Sequence, residues 1–306
     1  MNNNLTTQSF TKLFDDLMEA KKWFGAIGIP TEENRFASIL GNINLIQQYW
    51  DKPSLDDVLR DYKMHDIWIS LLDAGSFVLI HQQFAKLKSA QLPRQRLKEV
   101  LAGPLMPLDE GKDGASIQAR DALFELELAA FLQARGIQIT NFDDIEFVFD
   151  GTTVNVQCKR LHSYARLQDN LDKACSQIAN RIGGARKRGF VAFGIDKVFG
   201  TDKTVWEAYD ETALTQASNS VLKEFLQTNK QRFLGIVDIR VLGILVDLRF
   251  IGRLKNRNDL LTSGHERALY SLCSSATRQF VDTAFIEKLG QKIANYAEQV
   301  HQPDAD

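Results

Sequence analysis

Asp150-Gly151 separates two segments that alternate in polarity, Asp144-Ile-Glu-Phe-Val-Phe149 and Thr152-Thr-Val-Asn-Val-Gln-Cys-Lys159. This feature constrains the folding of the chain more than any other. Aspartate and glycine tolerate the positive φ angles that a two-residue hairpin turn demands. A turn of that length also fixes register. Phe149 then opposes Thr152, Phe147 opposes Val154, Ile145 opposes Val156, and Asp144 falls opposite Gln157. Side chains alternate with period two, so Ile145, Phe147, Phe149, Val154, Val156 and Cys158 share one face. Asp144, Glu146, Asn155, Gln157 and Lys159 share the other. Directly opposed Cβ atoms stand roughly 5 Å apart, near enough for Asp144 and Gln157 to hold one metal ion.

A carboxylate and an amide oxygen are hard ligands of the kind that suits Mg²⁺ or Mn²⁺, which keep water in their shell and take few protein ligands. Such an ion acidifies its water and stabilises charge on phosphorus. Lys159, two residues beyond Gln157 on the same face, is placed to orient or deprotonate the attacking water, or to neutralise developing charge. These are the requirements of phosphodiester hydrolysis.

Asp144, twelve intervening residues and then Gln157-Cys158-Lys159 resembles the PD-(D/E)XK nuclease superfamily, in its variant with glutamine for the second acid. Phe124-Glu125-Leu126-Glu127-Leu128-Ala129-Ala130-Phe131-Leu132, with Gly136 following, is similar to the helix that often precedes the hairpin there. The resemblance covers roughly residues 115–200. It implies an α/β fold, a restriction-endonuclease-like mixed sheet flanked by helices, and a Mg²⁺- or Mn²⁺-dependent endonuclease. By the resemblance Asp144 is the metal aspartate, Gln157 the second ligand, Lys159 the catalytic lysine and Glu125 the helix acid. The backbone carbonyl of Cys158 is a further ligand. The superfamily's proline position is Asp143 here, which makes Asp143 a rival to Asp144. Glutamine in place of an acid removes one negative charge and lowers the expected metal affinity. The superfamily includes restriction endonucleases, Holliday-junction resolvases and phage-defence nucleases. The implied setting is therefore prokaryotic anti-phage defence first, DNA repair or recombination next. The alternative is a catalytically silent member that binds nucleic acid or a protein partner.

The 306 residues, 44% hydrophobic and 25% charged, have an ordinary globular composition with room for one large or two smaller cores. A formal net charge of −2 means that nucleic-acid binding, DNA before RNA, must use a local patch. Three widely spaced cysteines, Cys158, Cys175 and Cys273, imply neither a zinc site nor a disulfide framework and fit a reducing cytoplasm. The N-terminal residues do not read as a signal peptide, and no apolar run approaches the roughly 20 residues that span a bilayer. No phosphate-binding loop or serine-hydrolase elbow is present.

Residues 5–102 read as helical. Thr31 is a plausible cap for a helix running towards Trp50, Ser54 opens a second, Ile67–Leu87 is apolar enough to be buried, and Pro93 opens a short basic helix. Residues 103–115, with two prolines and three glycines, are the best linker, dividing a helical domain, 1–107, from a nuclease-like domain, 108–306. The helical domain is where a partner subunit, or a second copy in a homo-oligomer, would dock. Ser116 caps a long helix that Gly136 ends. Glu125 and Glu127 lie about 200° apart on that helix, so only one of them can reach a shared site. Beyond Lys159, a helix over 168–182, a strand at 190–195, a helix near 221–227, strands within 234–250 and a closing helix from Phe280 are expected. Arg181, Arg186, Lys187 and Arg188 flank Gly183-Gly184, where they either grip a phosphate backbone or complement a helix C-terminus. Arg160 and His162 follow Lys159 closely enough to touch substrate phosphate, and Gln177 lies in the next helix. His265-Glu266-Arg267 reads as surface, and Asp196 and Asp238 carry no motif.

Overall fold

The computed structural model describes residues 5–6, 10–49, 64–106, 109–110, 118–142, 144–181, 187–200, 205–257, 260–273 and 280–293. The expected starts at Ser54 and Ser116, the Gly183-Gly184 pair, Asp143, Arg186 and most of the 103–115 linker lie outside these residues. The fold is α/β, with helices on both faces of one mixed sheet.

Helices α1 (Phe10–Ala26), α2 (Arg35–Tyr49), α3 (Met64–Phe84) and α4 (Arg94–Leu101) come first, then the long helix α5 (Gln118–Ala134). The cap of α2 is Asn34, not Thr31. Asn34 Oδ1 accepts from the amides of Phe36 and Ala37, and Thr31 is buried. An asparagine carbonyl satisfies the free amides of a first turn as well as a hydroxyl does. Gly136, at φ 74°, ends α5 in the left-handed conformation.

Three antiparallel strands follow: β2 (Ile139–Asn141), β3 (Ile145–Phe149) and β4 (Thr152–Arg160). Helix α6 (Leu167–Arg181) crosses over to β5 (Lys187–Gly194), which lies parallel to β4. A short turn, α7 (Asp196–Phe199), strand β6 (Val205–Ala208) and helix α8 (Glu211–Leu234) lead to the central strand β7 (Val241–Leu254). Strand β8 (Leu260–Ser271) and helix α9 (Phe280–Ile293) close the described chain. The sheet order is β1-β8-β7-β5-β4-β3-β2, with β6 pairing with the second half of β7 beyond the end of β5. Strand β1 is Leu5–Thr6, read as helical from sequence, which pairs with β8.

Strand β7 is buried over nearly its whole length because helices cover the sheet on both sides. One face packs Val154, Val156, Phe190, Ala192 and Leu245 against α1–α5 and α9. The other packs Val191, Phe193, Ile244, Val246 and Phe250 against α6 and α8. Helix α3 lies on α5, β7 and β8, so the helical region and the sheet share the first of these cores.

Candidate active site at the open end of the hairpin

The turn residues Asp150 and Gly151 have φ of 46° and 70°, and the pairing is Ile145 with Val156, Phe147 with Val154 and Phe149 with Thr152. That register brings Gln157 Nε2 to 3.5 Å from Asp144 Oδ1, and the same amide donates to Asn155 Oδ1 at 2.7 Å. The polar face is not the solvated surface that alternation alone suggests. Asn155 and Gln157 are buried, because α6 lies over β4 and β5. Gly189 permits this closeness: a Cβ there would stand 2.5 Å from Ile178 Cγ2 of α6. The helix thereby carries Arg181 to Asp144, and the guanidinium forms an ion pair with Asp144 Oδ1.

Lys159 is half-buried on the same face of β4. Burial, which disfavours the ammonium, holds its pKa below the ordinary lysine value. Cys158, Asp121 and Asp144 pull the other way, and Arg181 reinforces the lowering. Asp121, in the first turn of α5, was not singled out from sequence. Its carboxyl is held above the ordinary range by burial, against the pull of Arg160, His162 and Lys159. The available signal was its place one helical turn before Glu125, on the same stripe of α5.

Glu125 itself forms an ion pair with Arg96 of α4, whose guanidinium also meets Glu99 at 2.8 Å. The other glutamate of that helix, Glu127, is fully buried and bound to His265 and Arg267. Neither is left to solvent.

The expected phosphate contacts are distributed differently from the sequence reading. Arg160 is a correction: it is 7% exposed and turned inward to Glu110 at 3.3 Å and Asp121 at 3.6 Å. An arginine so placed pairs with buried Glu110 and partly exposed Asp121 rather than facing solvent. His162 is exposed beyond β4. Partial burial lowers its pKa, and Lys197 and Arg160 lower it further. Lys187 pairs in register with Thr153, six residues before Lys159 on β4, which is about 20 Å along the strand. Arg188 donates to Asp282 of α9 at 3.1 Å. Of these cations, Arg181 is the one drawn to the hairpin's acid. Gln177 lies one turn before Arg181 on α6, with Oε1 buried.

His265-Glu266-Arg267 is a second correction. All three lie in β8, where α3 and α8 pack on the strand; Glu266 and Arg267 are buried and His265 is half-buried. Among the described residues, Glu127, Asp247 and His265 place one ligand atom each within 4.8 Å of one another. Their oxygens are already engaged. Glu127 Oε1 meets His265 Nδ1 at 2.9 Å and Arg267 Nη2 at 2.7 Å, and Oε2 accepts from Ser76. Asp247 Oδ2 meets His265 Nε2 at 3.1 Å, and Oδ1 meets Arg267 Nε at 3.0 Å. Two cations thus balance two acids, and the group is an ionic lock rather than a metal cage.

No protein-family model, curated protein or solved structure matches the chain.

The site is therefore judged on its donors. Asp144 offers a partly exposed carboxylate, and Gln157 offers an amide whose nitrogen now points at Asp144. Half a turn about the last side-chain bond presents its oxygen instead. One carboxylate, one amide oxygen and access to water suit a hard divalent ion that retains most of its hydration shell.

Proposed function

We propose that the protein is a metal-dependent nuclease that hydrolyses nucleic-acid phosphodiester bonds, with a restriction-endonuclease-like core. The observation that carries this reading is the 3.5 Å approach of Gln157 to Asp144, with Lys159 next along the same face of β4. The mixed sheet with helices on both faces supports the fold assignment. Asp144 and Gln157 would hold Mg²⁺ or Mn²⁺, with the Cys158 carbonyl and a helix acid completing the set by resemblance. Since Arg96 engages Glu125, Asp121, whose charge acts on Lys159, competes with Glu125 for the helix role. The bound ion would supply an acidified water and neutralise charge on phosphorus. Lys159 has a lowered pKa and two acids near it, which supports its holding the attacking water and taking up or screening its charge. DNA is the proposed substrate before RNA, and anti-phage defence the proposed setting.

The test is a cleavage panel of single- and double-stranded DNA and RNA with Mg²⁺ and with Mn²⁺. Cutting is expected to stop in EDTA and to fall by about 10²–10⁴-fold in Lys159→Ala, with an unchanged circular dichroism spectrum. A Lys159→Ala protein that cuts as well as the parent rules out this site. A second reading, a silent nucleic-acid- or protein-binding member, is favoured by the arginines on Asp144 and Glu125 and by the amide at Gln157. Binding of a nucleic acid by parent and variant alike, with no cutting by either, would establish it.

A further inference from the structure

The hairpin's acid has two partners on one atom. Arg181 Nη1 and Gln157 Nε2 both approach Asp144 Oδ1. That is the carboxylate oxygen nearest Gln157, so an ion held between Gln157 and that oxygen would need the atom that the guanidinium now holds. Resting on the metal-site reading above, we propose that Arg181 is a displaceable placeholder. It occupies Asp144 Oδ1 in the metal-free protein, yields that oxygen to a divalent cation and turns its guanidinium to the substrate phosphate.

Three features favour exchange over a fixed structural pair. The side chains of Arg181 and Asp144 are 40% and 28% exposed, and ion pairs open to water are weakly held. A divalent ion can therefore displace the guanidinium without unfolding anything. The end of α6 is anchored through the packing of Ile178 on Gly189, so release needs only side-chain torsions. A guanidinium released beside Lys159 presents the planar fork that suits phosphate oxygens. The other arginines near the hairpin do not offer this. Arg160 is bound to buried Glu110, and Arg188 to Asp282. Arg181 is distinguished by having the proposed metal ligand itself as its partner.

The proposal makes two measurements move in opposite directions. Arg181→Gln should bind Mn²⁺ about two- to fivefold more tightly than the parent in an electron paramagnetic resonance titration. The same variant should bind a fluorescein-labelled DNA duplex more weakly in Ca²⁺. A merely structural arginine would weaken both. Lys173→Gln removes a charge from an exposed position of the same helix and should leave Mn²⁺ binding unchanged. In an Asp144→Asn background Arg181→Gln should have no effect on Mn²⁺. Mn²⁺ binding that depends on Asp144 yet is unmoved by Arg181→Gln, or is tightened equally by Lys173→Gln, overturns the placeholder and leaves the metal site standing. Parent protein whose Mn²⁺ binding is unaffected by Asp144→Asn overturns the site and the placeholder together.

Discussion

Lys159 is tuned by opposing neighbours: burial and Arg181 favour its neutral form, whereas Asp121 and Asp144 favour the ammonium. Replacing one acid should therefore move its titration predictably. Asp121→Asn removes a negative neighbour and should lower the Lys159 pKa further, read by NMR of a lysine-labelled protein. Glu125→Gln should leave it in place, because Glu125 is neutralised by Arg96. A shift in Glu125→Gln and none in Asp121→Asn would assign the helix role to Glu125. At this scale the sequence was informative wherever chemistry is local. Asp144, Gln157 and Lys159 follow from one turn and a period of two. Arg160 and Arg267 were misjudged because their partners are far away in the chain: Glu110 is 50 residues from Arg160, and Glu127 is 140 residues from Arg267. A charge in a strand reads as solvent-facing until its counter-ion is found across the fold.

The approach of α6 to the sheet controls the site's geometry. Gly189→Ala places a methyl group against Ile178, and overpacking of this kind destabilises by about 1–3 kcal/mol. The expected result is a lower urea midpoint together with a weakened Arg181–Asp144 contact. The double variant Gly189→Ala/Ile178→Val should recover part of the loss. An unchanged midpoint in Gly189→Ala would mean that the helix has room to withdraw. Elements with strong periodicity or clear punctuation were legible: α1, α3, α4, α5, α6, β3 and β4. Strands β2, β6 and β8 were not. The first two are too short for alternation to register, with three and four residues. Strand β8 reads Leu-Leu-Thr-Ser-Gly-His-Glu-Arg-Ala-Leu-Tyr-Ser; its middle carries His265, Glu266 and Arg267, and its buried hydrophobic run is only Ala268, Leu269 and Tyr270.

Across the whole molecule, a layer of paired charges lies between the helices and the sheet. Asp73 of α3 meets Arg35 at 2.5 Å, Arg120 at 3.0 Å and Arg249 at 3.4 Å. Burial opposes ionisation of Asp73, yet Arg120, Arg35 and Arg249 hold its carboxyl far below the usual range. Burial likewise opposes the charge on Glu127, and His265 and Arg267 outweigh it. A depressed carboxyl contributes stability that is present above its unfolded pKa and lost as pH falls through the folded one. His265 behaves oppositely. Burial and Arg267 lower it, but Asp247 and Glu127 prevail and raise it. Its contribution is complete below its unfolded value and lost as pH rises through the folded value. Stability should therefore be greatest between about pH 4.5 and 6.5, with an alkaline decline that His265→Gln removes in denaturant titrations. Asp73→Ala removes the carboxylate that three buried guanidinium groups share, leaving Arg120 with Glu110 and Arg249 with Asp196, and should cost about 3–5 kcal/mol, whereas an exposed change such as Lys22→Ala should be nearly neutral. This same layer decides whether the chain can be taken apart. Residues 108–306 produced alone would keep Arg120 with Glu110 and Arg249 with Asp196 but lose the aspartate these arginines share, along with the α3 cover on β7. Two separately made pieces are expected to precipitate singly and to become soluble when co-expressed, as obligate complementing halves.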